Sequence, residues 1–169
     1  VVSPELRVAD IAFNTGAIIA GLREAASRGC RLALFPELCI TAYSCGDLLY
    51  QPLLLERAWE ALIPIAEAAA IKDIAVVVGL PIEVTGKLFN CAAFIANGRV
   101  QGFAVKTFLP TTNEFYEERW FTSAFLAPVV SLDWGGEPVP FGRDLLFAAD
   151  NLDGLVIGTM AFAGGIPAF

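Results

Sequence analysis

Histidine is absent from all 169 residues. Its absence removes Ser-His-Asp and Cys-His catalysis, and histidine-based zinc sites with them. Any hydrolysis must then run on carboxylates, lysine and a non-histidine nucleophile. Charge is scarce too: 17% of residues are charged and 56% hydrophobic, whereas an ordinary soluble domain carries roughly 25% charged residues. With mean hydropathy +0.63, the chain is short of polar surface for its size. It is therefore expected either to be buried in a larger assembly or, the preferred reading, to be a piece of a longer chain. Lys and Arg form no cluster and the net charge is −7, which excludes phosphate-backbone recognition of nucleic acid and attraction to an anionic membrane surface. The C-terminal charge-free stretch 155–169 falls short of the about 20 apolar residues that span a bilayer, and it is rich in Gly. Val1-Val2-Ser3-Pro4 lacks the basic region and apolar run of a secretory signal. Cys30, Cys39, Cys45 and Cys91 form no CxxC pair and are too sparse for a disulfide scaffold. A reduced, cytoplasmic location is expected, with no metal and no cofactor.

What is present is enough for one domain, residues 1–169. Val1-Val2 reads as the tail of a strand. From Asn14 to Gly29, Ile18, Ile19, Leu22 and Ala25 fall at helical spacing, with Gly29 as terminator. Arg31–Phe35 is a short buried strand stopped by Pro36. Asp47 is placed to cap a helix running to about Ala70, with a kink or break at Pro64. Ile74–Leu80 is apolar on both faces, as in a parallel-type strand. Leu88–Ala96 and Arg99–Leu109 flank Asn97-Gly98, a strong hairpin signal. Val129–Trp134 and Leu145–Ala149 read as strands joined by a turn around Gly135-Gly136, and a last strand begins at Leu155. Alternating helices and strands, several without a polar face, predict an α/β architecture with a sheet covered on both sides. Gly79 and Gly86-Lys87 do not make a phosphate loop: six residues separate the glycines, and Leu88 stands where Ser or Thr is needed.

Two segments carry candidate chemistry. LALFPELCITAYSCGD (32–47) delivers Glu37 at a strand's C-terminal end, where ligands collect in α/β sheets. VKTFLPTTNEFYEERWF (105–121) places Lys106 near a strand end, ahead of an acidic-aromatic loop. Taken alone, Glu37 is a solvated turn residue, Lys106 a surface lysine, and Glu114, Glu117 and Glu118 a solvated acidic face.

Taken together, Glu37 in Phe-Pro-Glu and Lys106 ahead of Leu-Pro and Glu-Phe-Tyr-Glu resemble the carbon–nitrogen hydrolases of the nitrilase superfamily. Three further blocks narrow the resemblance: Ala42-Tyr43-Ser44 with Gly46-Asp47-Leu48-Leu49, the GKLFNCAAFIANGRVQGFAVKTFLP run, and Phe141-Gly142 with Asp144-Leu145-Leu146-Phe147. Their order makes the chain similar to the glutamine amidotransferase domain of glutamine-dependent NAD synthetases. The resemblance implies an αββα sandwich whose first strand and C-terminal half are incomplete here, and a Glu-Lys-Cys triad. In that triad Cys attacks the glutamine side-chain amide, Glu is the general base and Lys stabilises the oxyanion. Glu37 matches the base and Lys106 the lysine. Glu117 matches a second, positioning glutamate, with Glu114 and Glu118 near enough to keep that choice open, and Tyr43 matches a residue lining the glutamine pocket. Thr111-Thr112 stand where the family often has a tyrosine. The implied partners are glutamine, a synthetase domain absent from this chain, and further copies of the chain in a homo-oligomer.

The resemblance breaks down late. The family's nucleophile lies in a segment close to Glu-Ile-Cys-Glu-Asp, but this chain reads GLVIGTMAFAGGIPAF, which puts Ala161 or Phe162 at that position. Cys39, two residues from the base, and Cys45 are expected to be packing thiols rather than substitutes. The chain is therefore expected to lack glutaminase activity, whether as a fragment, a frameshift product or a degenerate paralogue. The alternative is a non-catalytic scaffold or oligomerisation module that keeps the fold.

Overall fold

The computed structural model of the chain describes residues 1–154 and 156–158. Asp10 opens the first helix: its carboxylate accepts from the Phe13 N–H at 3.1 Å, satisfying one of the donors that a helix N-terminus leaves unpaired. Helix α1 spans Ile11–Ser27 and buries Asn14, Ile18, Leu22 and Ala25. It begins three residues ahead of the expected Asn14 because the cap, not the first periodic residue, sets the start. Gly29 closes it at φ +76°, and the Cys30 N–H returns to the Ala25 carbonyl at 3.1 Å, the left-handed ending expected of glycine. Strand β1 covers Leu32–Leu34. Val1-Val2 is outside any strand, although the Val2 N–H donates to the Leu34 carbonyl at 2.9 Å.

The single helix expected from Asp47 to Ala70 is three pieces. Tyr43–Tyr50 forms 3₁₀ turns interrupted at Gly46, where φ is +56° and ψ −137°. Helix α2, Pro52–Glu60, follows with Pro52 in its first turn, where a missing N–H costs nothing. Helix α3, Leu62–Lys72, follows Ala61. Pro64 therefore sits in the first turn of α3 rather than breaking a helix, again where an N–H has no intrahelical partner.

Strands β2 (Ala75–Val84), β3 (Lys87–Ala96), β4 (Arg99–Val105), β5 (Ser131–Trp134) and β6 (Glu137–Gly142) join β1 in one sheet, in the order β1-β2-β3-β4-β6-β5. β1 pairs parallel to β2, and β2-β3-β4 is an antiparallel meander. Three two-residue turns, Thr85-Gly86, Asn97-Gly98 and Gly135-Gly136, have both φ values positive, the turn type that matches strand twist. Gly86 is thus a hairpin residue.

Two strand expectations are corrected. β5 turns into β6, which the sequence reading missed because Pro138 and Pro140 argue against a strand. The Phe141 N–H donates to Val130 at 2.9 Å, so by alternation the two prolines turn their missing donors toward β4, whose pairing with β6 involves only Phe141 and Gly142. Leu146–Ala148 (β7) instead pairs with Val156–Gly158 (β8) in a separate ribbon.

All three helices share one face of the sheet: Ile18, Leu22, Ala58, Leu62 and Ile65 pack in one core with Val76, Val78, Leu80, Phe89 and Cys91. Among the described residues no helix roofs the other face. Part of it is covered by the β7–β8 ribbon, where Phe147 stacks on Phe94 at 4.9 Å and fills the space beside Gly102. No helix among the described residues is long and apolar enough to cross a membrane.

Candidate active site

Glu37 stands just past β1 on a segment fastened to β2. The Phe35 N–H donates to Val77 at 3.0 Å and the Ile40 N–H to Gly79 at 3.1 Å. Gly79 permits this approach, since a Cβ there would lie 2.3 Å from the Leu38 nitrogen and 3.1 Å from the Glu37 Cα. Buried Asn14 holds the next turn: its amide donates to Ile40 at 3.0 Å and to Arg7 at 2.8 Å, and its Oδ1 accepts from the Arg7 N–H. Lys106 directly follows β4, its N–H bonded to the Asn90 carbonyl at 2.9 Å. Phe89 and Cys91 point toward the helices, so by strand alternation Asn90 projects from the opposite face. The site is built on that face.

Lys106 Nζ bridges two carboxylates, lying 2.7 Å from Glu37 Oε1 and 2.8 Å from Glu117 Oε1. Two of its three N–H donors are thereby used, leaving one for a further acceptor. Glu37 Oε1 also accepts from the buried Asn90 amide, while its Oε2 has no partner among the described residues. The Glu37 side chain is 42% exposed. Glu117 is 1% exposed, and its backbone N–H is bonded to Pro110 at 3.1 Å. Its Oε1 takes the Tyr43 hydroxyl at 2.8 Å as well as Lys106, and its Oε2 is buried without a partner among the described residues. Desolvation, and then the bond to Glu117, push the Tyr43 pKa up, so Tyr43 donates as a neutral phenol.

The structure therefore gathers Glu37, Lys106, Glu117 and Tyr43 into one hydrogen-bonded line. Glu114 and Glu118 are exposed and outside it; of the three acids, Glu117 is the one that bonds Lys106. Asn90 is the member that sequence reasoning missed. Its signal was a polar residue inside an apolar strand, Phe-Asn-Cys-Ala-Ala-Phe. Asp47 does not cap a helix but ties the wall of the site together, binding Arg119 at 2.9 and 3.0 Å and the Trp120 indole at 2.9 Å. The Tyr50 hydroxyl adds a bond to the Arg119 carbonyl.

None of the four cysteines bonds to this line. Cys39 donates to the Gly79 carbonyl, and burial pushes its pKa up to about 12. Cys45 bonds the Thr41 carbonyl at 3.0 Å and is also raised by burial, as is Cys91. Cys30 is exposed at the end of α1. Ala161 and Phe162 lie outside the described residues.

A carboxylate with a free oxygen, joined to a second acid through a lysine, matches a base and an oxyanion-binding cation placed together. The carbon-nitrogen hydrolase profile matches residues 2–158. The chain belongs to the carbon–nitrogen hydrolase family. Within that family it is 37% identical over 154 residues to the glutamine-dependent NAD(+) synthetase of Mycobacterium leprae, covering 89% of this chain and 22% of that protein. The glutamine-dependent NAD(+) synthetase of Cytophaga hutchinsonii superposes with TM-score 0.80 at 33% identity, over 86% of this chain and 25% of that one. A variant of the amidase from Nesterenkonia sp. AN1, with acrylamide added at its active-site cysteine, shares the fold at TM-score 0.62 and 24% identity, over 80% of this carbon–nitrogen hydrolase chain and 52% of the amidase. This chain thus spans about a quarter or less of the NAD synthetases it matches.

Proposed function

We propose that this chain carries the base-and-lysine part of a glutamine-hydrolysing, ammonia-supplying site of the kind found in glutamine-dependent NAD synthetases, and that it does not turn over glutamine as it stands. The observation that carries this reading is Lys106 held 2.7 Å from Glu37 and 2.8 Å from Glu117. In the full reaction Glu37 would take the proton of a thiol nucleophile at its free Oε2. The remaining Lys106 N–H would meet the oxyanion formed when that thiol attacks the amide carbon. Glu117, with Tyr43 on the same oxygen, would hold Lys106 in place, and Tyr43 would edge the glutamine pocket. The thiol is what the chain does not supply: Cys39 and Cys45 donate to backbone carbonyls, and their raised pKa values keep them as thiols. Loss of the nucleophile in a covalent mechanism costs on the order of 10⁶ in kcat. The ammonia would serve a synthetase domain outside this chain, in a reducing, cytoplasmic setting consistent with four free cysteines.

The test is incubation with glutamine labelled with ¹⁵N at the side-chain amide. The expected result is no labelled ammonia above background, with glutamine binding seen by saturation-transfer NMR and lost in Lys106→Met. Ammonia release that stops on thiol alkylation and in Glu37→Gln would overturn the inactivity. Absence of any glutamine binding would move the weight to a second reading, a non-catalytic module that self-associates, which the separation of all four cysteines from the site favours and a solution mass above one chain would support.

A further inference from the structure

Asn90 differs from the other members of the site in where it is mounted. It lies in β3, between β2 and β4, and is 4% exposed. A buried amide in an apolar strand carries a desolvation cost that hydrogen bonding must offset. Its side chain has one bond among the described residues, from Nδ2 to Glu37 Oε1. Its backbone carbonyl accepts from the Lys106 N–H at 2.9 Å. One strand residue therefore touches both groups of the Glu37–Lys106 pair, the carboxylate through its side chain and the lysine through its backbone.

Glu37 and Lys106 are not held so firmly. Glu37 stands past the end of β1 and Lys106 past the end of β4, and long side chains of this kind have much rotamer freedom to lose. Attraction between them does not choose an oxygen, because an ammonium is a compact charge with three rotatable donors. The Asn90 amide does choose. It is short, planar and directional, and a carboxylate paired with a lysine offers it acceptors alone, so Asn90 turns its NH₂ toward Glu37.

Two donors then load the same oxygen, Asn90 Nδ2 and Lys106 Nζ on Oε1, and Oε2 is left without one among the described residues. Glu117 repeats the pattern, with the Tyr43 hydroxyl and Lys106 both on its Oε1. Each acid thus shares the lysine and has one neutral donor of its own, Asn90 for Glu37 and Tyr43 for Glu117. We propose that Asn90 is a positioning residue for the base: it pins the Glu37 carboxylate by Oε1 and leaves Oε2 as the oxygen that takes the thiol proton. This role rests on the reading of Glu37 as a general base, whereas the pinning itself does not depend on the substrate.

Side-chain NMR of the whole chain, reading the glutamate ¹³Cδ and asparagine ¹⁵Nδ2 signals, tests the role. Asn90→Leu keeps the branched shape and removes the donor. The expected result is a Glu37 signal that moves while the Glu117 signal, held by Tyr43 and Lys106, stays in place. Asn90→Asp, which sets a like charge beside Glu37, should move that signal farther. In a crystal of Asn90→Leu the Glu37 carboxylate should spread over more than one rotamer. A Glu37 signal that does not move, a single wild-type rotamer, or Glu37 and Glu117 signals that move together would reduce Asn90 to a packing residue. Should Asn90→Leu fail to fold, wild type decides: one Asn90 amide proton should lie downfield and exchange slowly, and Glu37→Ala should abolish both features. Two unshifted, freely exchanging protons would overturn the role. Glutamine titrated into wild type tests the reading of the site separately, since a chain that binds no glutamine can still show Glu37 moving alone.

Discussion

At the scale of single residues, the position of Glu37 depends on an atom that is not there. Gly79 lies in β2 at ordinary strand geometry, so its need for glycine comes from the chain passing over it rather than from its own backbone. A Cβ at 2.3 Å from the Leu38 nitrogen meets backbone, which cannot rotate away as a side-chain tip can. Gly79→Ala should therefore push the 36–40 segment off β2, with the roughly 1–3 kcal/mol cost typical of overpacking, read as a lowered urea midpoint at unchanged slope. It should also lengthen the Glu37–Lys106 pair. A variant as stable as wild type would show that the segment yields freely and that Gly79 is no constraint on the base.

At the scale of elements, two irregular segments face each other across the site. Tyr43–Tyr50 contributes Tyr43, Asp47 and Tyr50, while the 3₁₀ turn Glu117–Arg119 contributes Glu117 and Arg119, with Trp120 next to it. Neither segment has a ladder to hold it, so side-chain bonds take over that task. The bonds to Arg119 and then to the Trp120 indole lower the Asp47 pKa from 3.8 to about 2. A carboxyl depressed in the folded state adds stability that is present above its unfolded value and lost as pH falls through the folded one. The Asp47–Arg119 latch should thus be intact at pH 5, lose its contribution to stability between about pH 4 and pH 2, and open with a midpoint near pH 2, where the Trp120 indole signal moves toward its free position. Asp47→Asn should shift that signal already at neutral pH. Because the pair is exposed, high salt should weaken it. A Trp120 signal indifferent to acid, salt and the variant would mean that packing alone joins the two segments.

At the scale of the whole molecule, one helix layer and one sheet leave two unlike faces. The helix face holds the continuous core. The opposite face holds the site, with Asn90 and Lys106 at one end of it and the cluster under Phe147 further along the sheet. Three of the four thiols are buried within this arrangement. Alkylation of the native protein at neutral pH should modify Cys30 alone, as read by intact mass. Cys39, Cys45 and Cys91 should react only once denaturant opens the core. Rapid native labelling of Cys39 or Cys45 would contradict their burial and would bring back a thiol near Glu37 as a candidate nucleophile.

Much of this was legible in the order of residues. Periodicity at Ile18, Leu22 and Ala25 marks a helix. Asn97-Gly98 marks a hairpin because its turn needs positive φ twice. The absence of histidine narrows the chemistry to carboxylate and lysine. The family resemblance points to Glu37, Lys106 and Tyr43, and to Glu117 with Glu114 and Glu118 left beside it. Other features depended on contacts between residues far apart in sequence. Asp47 looks like a cap until Arg119, 72 residues away, claims its carboxylate. Asn90 looks like a blemish in an apolar strand until Glu37 meets its amide. β6 is hidden by two prolines whose missing donors matter only where a neighbouring strand would need them. Local patterning determined the elements and the chemical inventory, because helix periods, strand alternation and turn dihedrals are properties of short segments. Which carboxylate shares the lysine, and which glycine lets the base approach, was decided by packing, which only the folded chain contains.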